Sequence, residues 1–143
     1  MLLVFLEVMQ SGRGFMKANL SPLMQACCEG NASSVKTLLS SYLDVNKKNS
    51  DGNTAIWFAC YSNCIDIIHM LASHGADINH QNNDGATPLI YAASTGKSDV
   101  VACLLSLGAN KDLQTADGFT ALELSASYSV MRLLKNQLTG TGM

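Results

Sequence analysis

The chain has 143 residues, of which 48% are hydrophobic and 14% are charged, and its formal net charge at pH 7 is −2. This length and hydrophobic fraction suit one domain with a continuous core. Because nucleic-acid binding rests on a basic surface, the weak and mixed charge argues against a nucleic-acid partner. Lys47 and Lys48 form an isolated basic pair and do not change that expectation.

A period of 33 residues is the dominant pattern of the sequence. The segment Asp51-Gly52-Asn53-Thr54 recurs as Asp84-Gly85-Ala86-Thr87 and again as Asp117-Gly118-Phe119-Thr120, with Ser21-Pro22-Leu23 in the same phase. Self-similarity at a fixed period of this size predicts a solenoid of stacked supersecondary units. Such a chain is expected to bind another molecule rather than to catalyse a reaction.

Residues 1–16 contain an apolar run that is too short to cross a bilayer, which takes about 20 apolar residues. Glu7 interrupts the run, no basic residue precedes it and no convincing cleavage site follows it. We therefore expect neither a secretion signal nor membrane insertion. Phe5 and Leu6 lie 33 positions before Leu38 and Leu39, which predicts the second helix of a partial leading repeat. An irregular apolar N-terminus, or the edge of a longer protein, is the alternative.

Each repeat then shows two predicted helices. The first follows the Thr column and contains small residues that allow close packing, whereas the second has apolar residues at i, i+1, i+4 and i+5, as one helix face requires. Gly30, Asn63 and Gly96 share the column between the helices and predict a turn with positive φ. Gly75 and Gly108 mark the ends of two second helices. Near the C-terminus, a shortened apolar helix is expected around Met131, Leu133, Leu134 and Leu138.

These motifs make the chain resemble the ankyrin repeat family over roughly residues 17–138. The resemblance implies an all-α repeat solenoid of helix-turn-helix units joined by β-turn or hairpin fingers, with about four repeats and a partial N-terminal helix. One departure recurs: the family's usual His column holds Met24, Trp57, Ile90 and Glu123, of which Trp57 is expected to pack inside the turn. The predicted segments are 1–16 (partial leading repeat or capping helix), 17–49, 50–82 and 83–115 (three repeats), 116–138 (a truncated repeat) and 139–143 (a disordered tail).

Catalytic and metal sites have little support in the sequence. The five cysteines include Cys27 and Cys60 in one small-residue column, which predicts buried, reduced thiols in an intracellular protein, cytoplasmic or nuclear. Cys60 and Cys64 lack the further ligands of a tetrahedral metal site. The acids Asp51, Asp84 and Asp117 fall at turns, where carboxylates bond local backbone amides. We therefore expect no enzyme activity, no cofactor and no bound metal.

The resemblance implies that a protein partner is gripped by the finger tips and the ends of the first helices. The matching positions here are Ser50, Asp51, Asn53, Tyr61, Ser62, Asn83, Asp84, Ser94, Thr95, Asp117, Phe119 and Tyr128. Aromatic residues are enriched among interface hot spots, so Phe119 and Tyr61 are the predicted anchors, unless Phe119 packs on its own finger. The alternative function is a structural spacer or assembly segment of a larger protein, with an empty concave face.

Asn46 and Asn79 carry a further expectation that the resemblance implies. Leu38 with Asp44-Val45-Asn46, and Leu71 with Asp77-Ile78-Asn79, match the spacing that asparagine hydroxylases use in many ankyrin repeats. The alternative is that both asparagines bond only the neighbouring backbone.

Overall fold

A computed structural model describes residues 20–140 of the chain, with side chains up to residue 136. Within that range the chain forms helices and turns, and no β-strand is assigned. The helices are α1 (Pro22–Cys28), α2 (Ala32–Leu39), α3 (Ala55–Tyr61), α4 (Ile65–Ser73), α5 (Pro88–Ser94), α6 (Ser98–Ser106) and α7 (Tyr128–Gly140). The predicted all-α repeat stack is confirmed for this part of the chain.

Local sequence explains how the helix pairs begin and turn. The side chains of Ser21, Asn31 and Thr87 each accept a hydrogen bond from a backbone N–H in the first turn of α1, α2 and α5, respectively. Between the two helices of a repeat, Asn63 has a φ of 60°, in the same column as two glycines of positive φ. The predicted turn between the helices is therefore confirmed.

The core runs along the stack because each helix packs on its counterpart in the next repeat. The first helices α1, α3 and α5 contact one another in series, and so do the second helices α2, α4 and α6. The predicted apolar columns supply this core. Its fully buried members include Phe58, Tyr91, Ile67, Ile68, Leu71, Val100, Val101 and Leu104.

Each finger is a tight turn fastened by one polar side chain. Asn49, Asn82 and Thr115 share a column, and in each case their backbone N–H bonds the carbonyl four residues later. The Asn82 side-chain oxygen also accepts from the N–H groups of Asp84 and Ala86, at 3.0 Å each. Adjacent fingers are joined by backbone bonds from Asn83 to Asp51 and from Ala116 to Asp84. The tips therefore stand in a fixed register.

The last repeat departs from the 33-residue phase. Residues 121–124 form a turn instead of the predicted first helix, and α7 already begins at Tyr128. Val130 and Leu134 are buried at the positions that Val100 and Leu104 occupy in the preceding repeat, so the phase slips by three residues. Exposed Glu123 accepts from Thr120 N and Oγ1, both at 3.0 Å, and these bonds lower the pKa of its carboxyl group.

The ends of the chain need separate statements. The predicted leading repeat in residues 1–16 lies outside the described residues and stays a prediction. Helix α7 ends at Gly140, so the helix extends two residues into the segment that the sequence predicts as a disordered tail. Glycine and threonine cost only about 1 kcal/mol or less in a helix, which its last turn tolerates. None of the helices within residues 20–140 is long and apolar enough to cross a membrane.

Tyr42 replaces a glycine that closes the second helix in the other repeats. Gly75 and Gly108 have φ values of 88° and 90°, and the residue after each donates its N–H to Leu71 O and Leu104 O, at 3.0 Å in both cases. Tyr42 occupies the same column without a positive φ, and Leu43 N–H bonds Ser41 O instead. The Tyr42 side chain is fully exposed as a result.

We expect Tyr42→Gly to raise the free energy of unfolding by about 0.5–1 kcal/mol, because glycine permits the helix-closing bond at no steric cost. Urea denaturation of the full chain measures the change. Tyr42→Ala is the control, since alanine removes the same ring but resists positive φ, and it is expected to change stability little. Equal effects of the two substitutions would contradict the explanation.

Candidate functional site

The structure spreads the twelve predicted contact residues over three classes of exposure. The exposed class contains Ser50, Asn83, Asp84, Asp117 and Tyr128. The half-buried class contains Asp51, Tyr61, Ser62, Thr95 and Phe119, and the buried class contains Asn53 and Ser94. We call the exposed class together with Asp51, Tyr61 and Phe119 the finger surface.

Asn53 and Ser94 do not belong on that surface, which corrects their prediction as contact residues. Asn53 is 2% exposed and its side-chain oxygen accepts from Asn82 Nδ2 at 2.9 Å. Ser94 is 1% exposed and its hydroxyl donates to Tyr91 O at 2.9 Å. Both polar side chains are buried because a partner inside the stack satisfies them.

The predicted aromatic anchors take part in the fold. Phe119 and Tyr61 are half-buried and pack against the core. Tyr128 differs, because 70% of its surface is exposed although it begins a helix. Ala126, two residues before it, donates its N–H to Ala93 O at 2.9 Å, which fixes this segment beside the end of α5. The exposed ring of Tyr128 therefore projects from a fixed backbone.

The helix ends beside the fingers are tied together across repeats. The Ser62 hydroxyl donates to Cys27 O in the preceding repeat at 2.7 Å. The ammonium of Lys97 donates to Tyr61 O at 3.2 Å and to Asn63 Oδ1 at 3.1 Å. Partial burial lowers the pKa of Lys97, an effect that the nearby Cys60 thiol partly opposes. These bonds make the floor beside the fingers rigid, and sequence reasoning did not identify Lys97 as part of it.

Asn46 and Asn79 also join neighbouring repeats. Asn46 donates to Gly75 O at 3.1 Å and accepts from Asp77 N at 2.8 Å. Asn79 accepts from Asn110 N at 2.7 Å. These bonds to the backbone are the structural role that the sequence left as the alternative to hydroxylation.

The cysteines behave as core residues. Cys27 and Cys60 are fully buried and free, as predicted from their column. Burial raises the pKa of Cys27 to about 12 and that of Cys60 still further, so both thiols stay protonated at neutral pH. A protonated thiol is a poor nucleophile and a poor metal ligand. Among residues 20–136, no group of three or more His, Cys, Asp or Glu side chains is placed to hold a metal ion.

Comparison with known proteins agrees with the repeat architecture. The family model for three copies of ankyrin repeats matches residues 3–82 and 75–140. The chain belongs to the ankyrin repeat family. Ankyrin repeat domains are typically non-catalytic and generally serve as protein–protein interaction modules.

A solved ankyrin domain shows the same stack. The crystal structure of the ankyrin repeat domain of Bcl-3, a member of the IkappaB protein family, matches with a TM-score of 0.76 and 26% sequence identity. The match covers 81% of this chain and 51% of that chain, so this ankyrin array spans about half of the Bcl-3 domain. No curated protein sequence is significantly similar to this chain.

Proposed function

We propose that the chain binds a protein partner through the finger surface of its ankyrin stack. The observation that supports this most is Tyr128, whose ring is 70% exposed on a backbone that the Ala126–Ala93 bond fixes. A rigid, exposed tyrosine buries a large area on binding at a low cost in side-chain entropy. Tyr128 therefore takes the role of main anchor, ahead of the half-buried Phe119 and Tyr61.

The finger tips supply the polar part of the proposed interface. Asp84 and Asp117 are exposed, and the backbone bonds between fingers hold consecutive tips in register. A surface that is prepared in this way loses little conformational entropy when a partner docks. Hydrogen bonds from the fingers to the partner then provide specificity around the aromatic anchor.

Comparative affinity capture tests the proposal. The full chain and its Tyr128→Ala variant are used as baits in lysate of the native cells, and bound proteins are quantified by mass spectrometry. Truncating a hot-spot residue typically costs at least about 2 kcal/mol, so recovery of the partner is expected to fall about tenfold or more. Thermal denaturation should show both baits equally folded, because Tyr128 contributes little to the core.

Tyr42→Ala is the matched control, since it removes an equally exposed tyrosine from the loop after α2. A protein lost with Tyr128→Ala and kept with Tyr42→Ala supports the finger surface. Identical protein lists for all three baits would favour the alternative, a structural spacer whose concave face stays empty.

We also propose Asn46 and Asn79 as hydroxylation sites, on the spacing that the ankyrin family implies. Both side chains are only half-buried. Intact and peptide mass spectrometry of protein from its native source is expected to show one added oxygen at each. Unmodified masses at both positions would exclude the proposal and leave only their bonds between repeats.

A further inference from the structure

The first finger carries hydrogen-bond donors whose counterparts in the second finger all have partners. In the second finger, His80 Nε2 lies 2.8 Å from Gly52 O, and Gln81 Nε2 donates to Gln114 O at 2.9 Å. Asn82 Nδ2 donates to Asn53 Oδ1 at 2.9 Å. Every one of these acceptors is an oxygen of the polypeptide in a neighbouring finger. The column therefore serves to bind polypeptide oxygen atoms.

The equivalent residues of the first finger, 33 positions earlier, are Lys47, Lys48 and Asn49. The Asn49 Nδ2 atom is buried without a hydrogen-bond partner. The reason is visible in the sequence, because the column that holds Asn53 in the next repeat holds Leu20, which has no side-chain oxygen. An unpaired buried donor costs about 1–3 kcal/mol, so an acceptor supplied from outside is favoured at this point.

A cleft adjoins this unpaired amide. Its volume is about 410 Å³, and Leu20, Lys47, Lys48 and Asn49 contribute to its walls. The two acids nearest in sequence, Asp44 and Asp51, do not line the cleft. Two lysine side chains without ion pairs in the described chain, next to an amide donor, favour an oxygen that carries negative charge.

We propose that this cleft binds an acidic side chain of the protein partner, with the carboxylate between Lys47, Lys48 and Asn49 Nδ2. The proposal rests on the proposed function and adds the chemistry of one contact. A polypeptide ligand fits better than a free anion, because the same column elsewhere binds polypeptide oxygens and because Leu20 offers apolar surface for the methylene groups of a glutamate. Substitution of the His and Gln of the second finger by two lysines gives the first finger its preference for charge.

A titration of the full chain with hexaglutamate peptide tests this contact without the natural partner. Side-chain amide signals of Asn49 are followed by nitrogen–proton NMR, with hexaglutamine and sodium chloride at matched ionic strength as references. We expect the Asn49 signals to move with hexaglutamate alone. Lys47→Gln/Lys48→Gln should weaken the response about fivefold, as loss of two exposed ion pairs predicts. Lys111→Gln/Lys135→Gln makes the same change in net charge away from the cleft and should leave it unchanged.

Leu20→Asn tests the geometry separately. The new side chain would offer Asn49 Nδ2 the oxygen that Asn53 offers Asn82, so this variant should gain stability and lose the Asn49 response. No shift of Asn49 with hexaglutamate, or equal shifts with inorganic phosphate, would overturn the proposal of an acidic polypeptide. Neither result would affect the capture experiment, because Tyr128 lies in the last repeat. Failure of the cleft and failure of the finger surface are therefore distinguishable.

Discussion

Gly85→Ala is expected to lower the free energy of unfolding by about 3 kcal/mol or more, through backbone strain and a clash between fingers. Gly85 has a φ of 77°, a conformation that costs a residue with a Cβ atom about 1–2 kcal/mol. An added Cβ would also lie 2.6 Å from the backbone nitrogen of Ala116. That nitrogen donates to Asp84 O, so relief of the clash would break the bond between two fingers.

Gly118→Ala is the matched control for this prediction. Gly118 occupies the same finger column with a φ of 88°, but an added Cβ would meet nothing within 4 Å. It should cost only the backbone strain, about 1–2 kcal/mol. Urea denaturation of both variants isolates the contact between fingers as the difference. Equal losses at the two positions would show that close packing of the fingers contributes nothing to stability.

Trp57→Ala is expected to cost about 3–5 kcal/mol, since it removes a large side chain from the core. Trp57 is 2% exposed, and its ring lies 4.8 Å from that of Tyr91 in the next repeat, centroid to centroid. Loss of the ring therefore weakens both a repeat and its contact with the neighbour. The prediction that Trp57 packs inside the turn is confirmed.

Trp57→Phe is expected to cost about 1 kcal/mol or less, despite the smaller ring. The Trp57 Nε1 atom is buried without an acceptor, so its removal takes away an unsatisfied donor while an aromatic ring still faces Tyr91. Thermal and urea denaturation of the two variants, followed by circular dichroism, give the comparison. If phenylalanine proved as costly as alanine, the indole nitrogen would have a partner or the full indole shape would be essential.

The period of the sequence was sufficient to predict the repeat stack. Apolar columns such as Ile67 and Val100 recur 33 residues apart, and a buried face must repeat wherever the same unit packs on itself. The slip of three residues in the last repeat was not predicted, because the Asp117–Thr120 motif keeps the phase up to the point where the chain shortens. Burial of Val130 reveals the slip only in the structure.

The candidate contacts were harder to predict, because exposure depends on the neighbouring repeat. Asn53 is at a column of the finger that the resemblance assigns to partner contact, yet the Asn82 side chain of the next finger covers and bonds it. The unpaired donor of Asn49 arises in the same way, from the identity of a residue one repeat away. A single sequence supplies the columns, but the pairing across columns requires coordinates.

Site-specific photo-crosslinking tests the central claim most directly. A benzophenone amino acid is placed at position 128 in one bait and at position 42 in another, and both are irradiated in lysate of the native cells. The proposed finger surface predicts a specific protein adduct from position 128 that is absent from position 42. An adduct from position 42 alone, or none from position 128, would contradict partner binding through the finger surface.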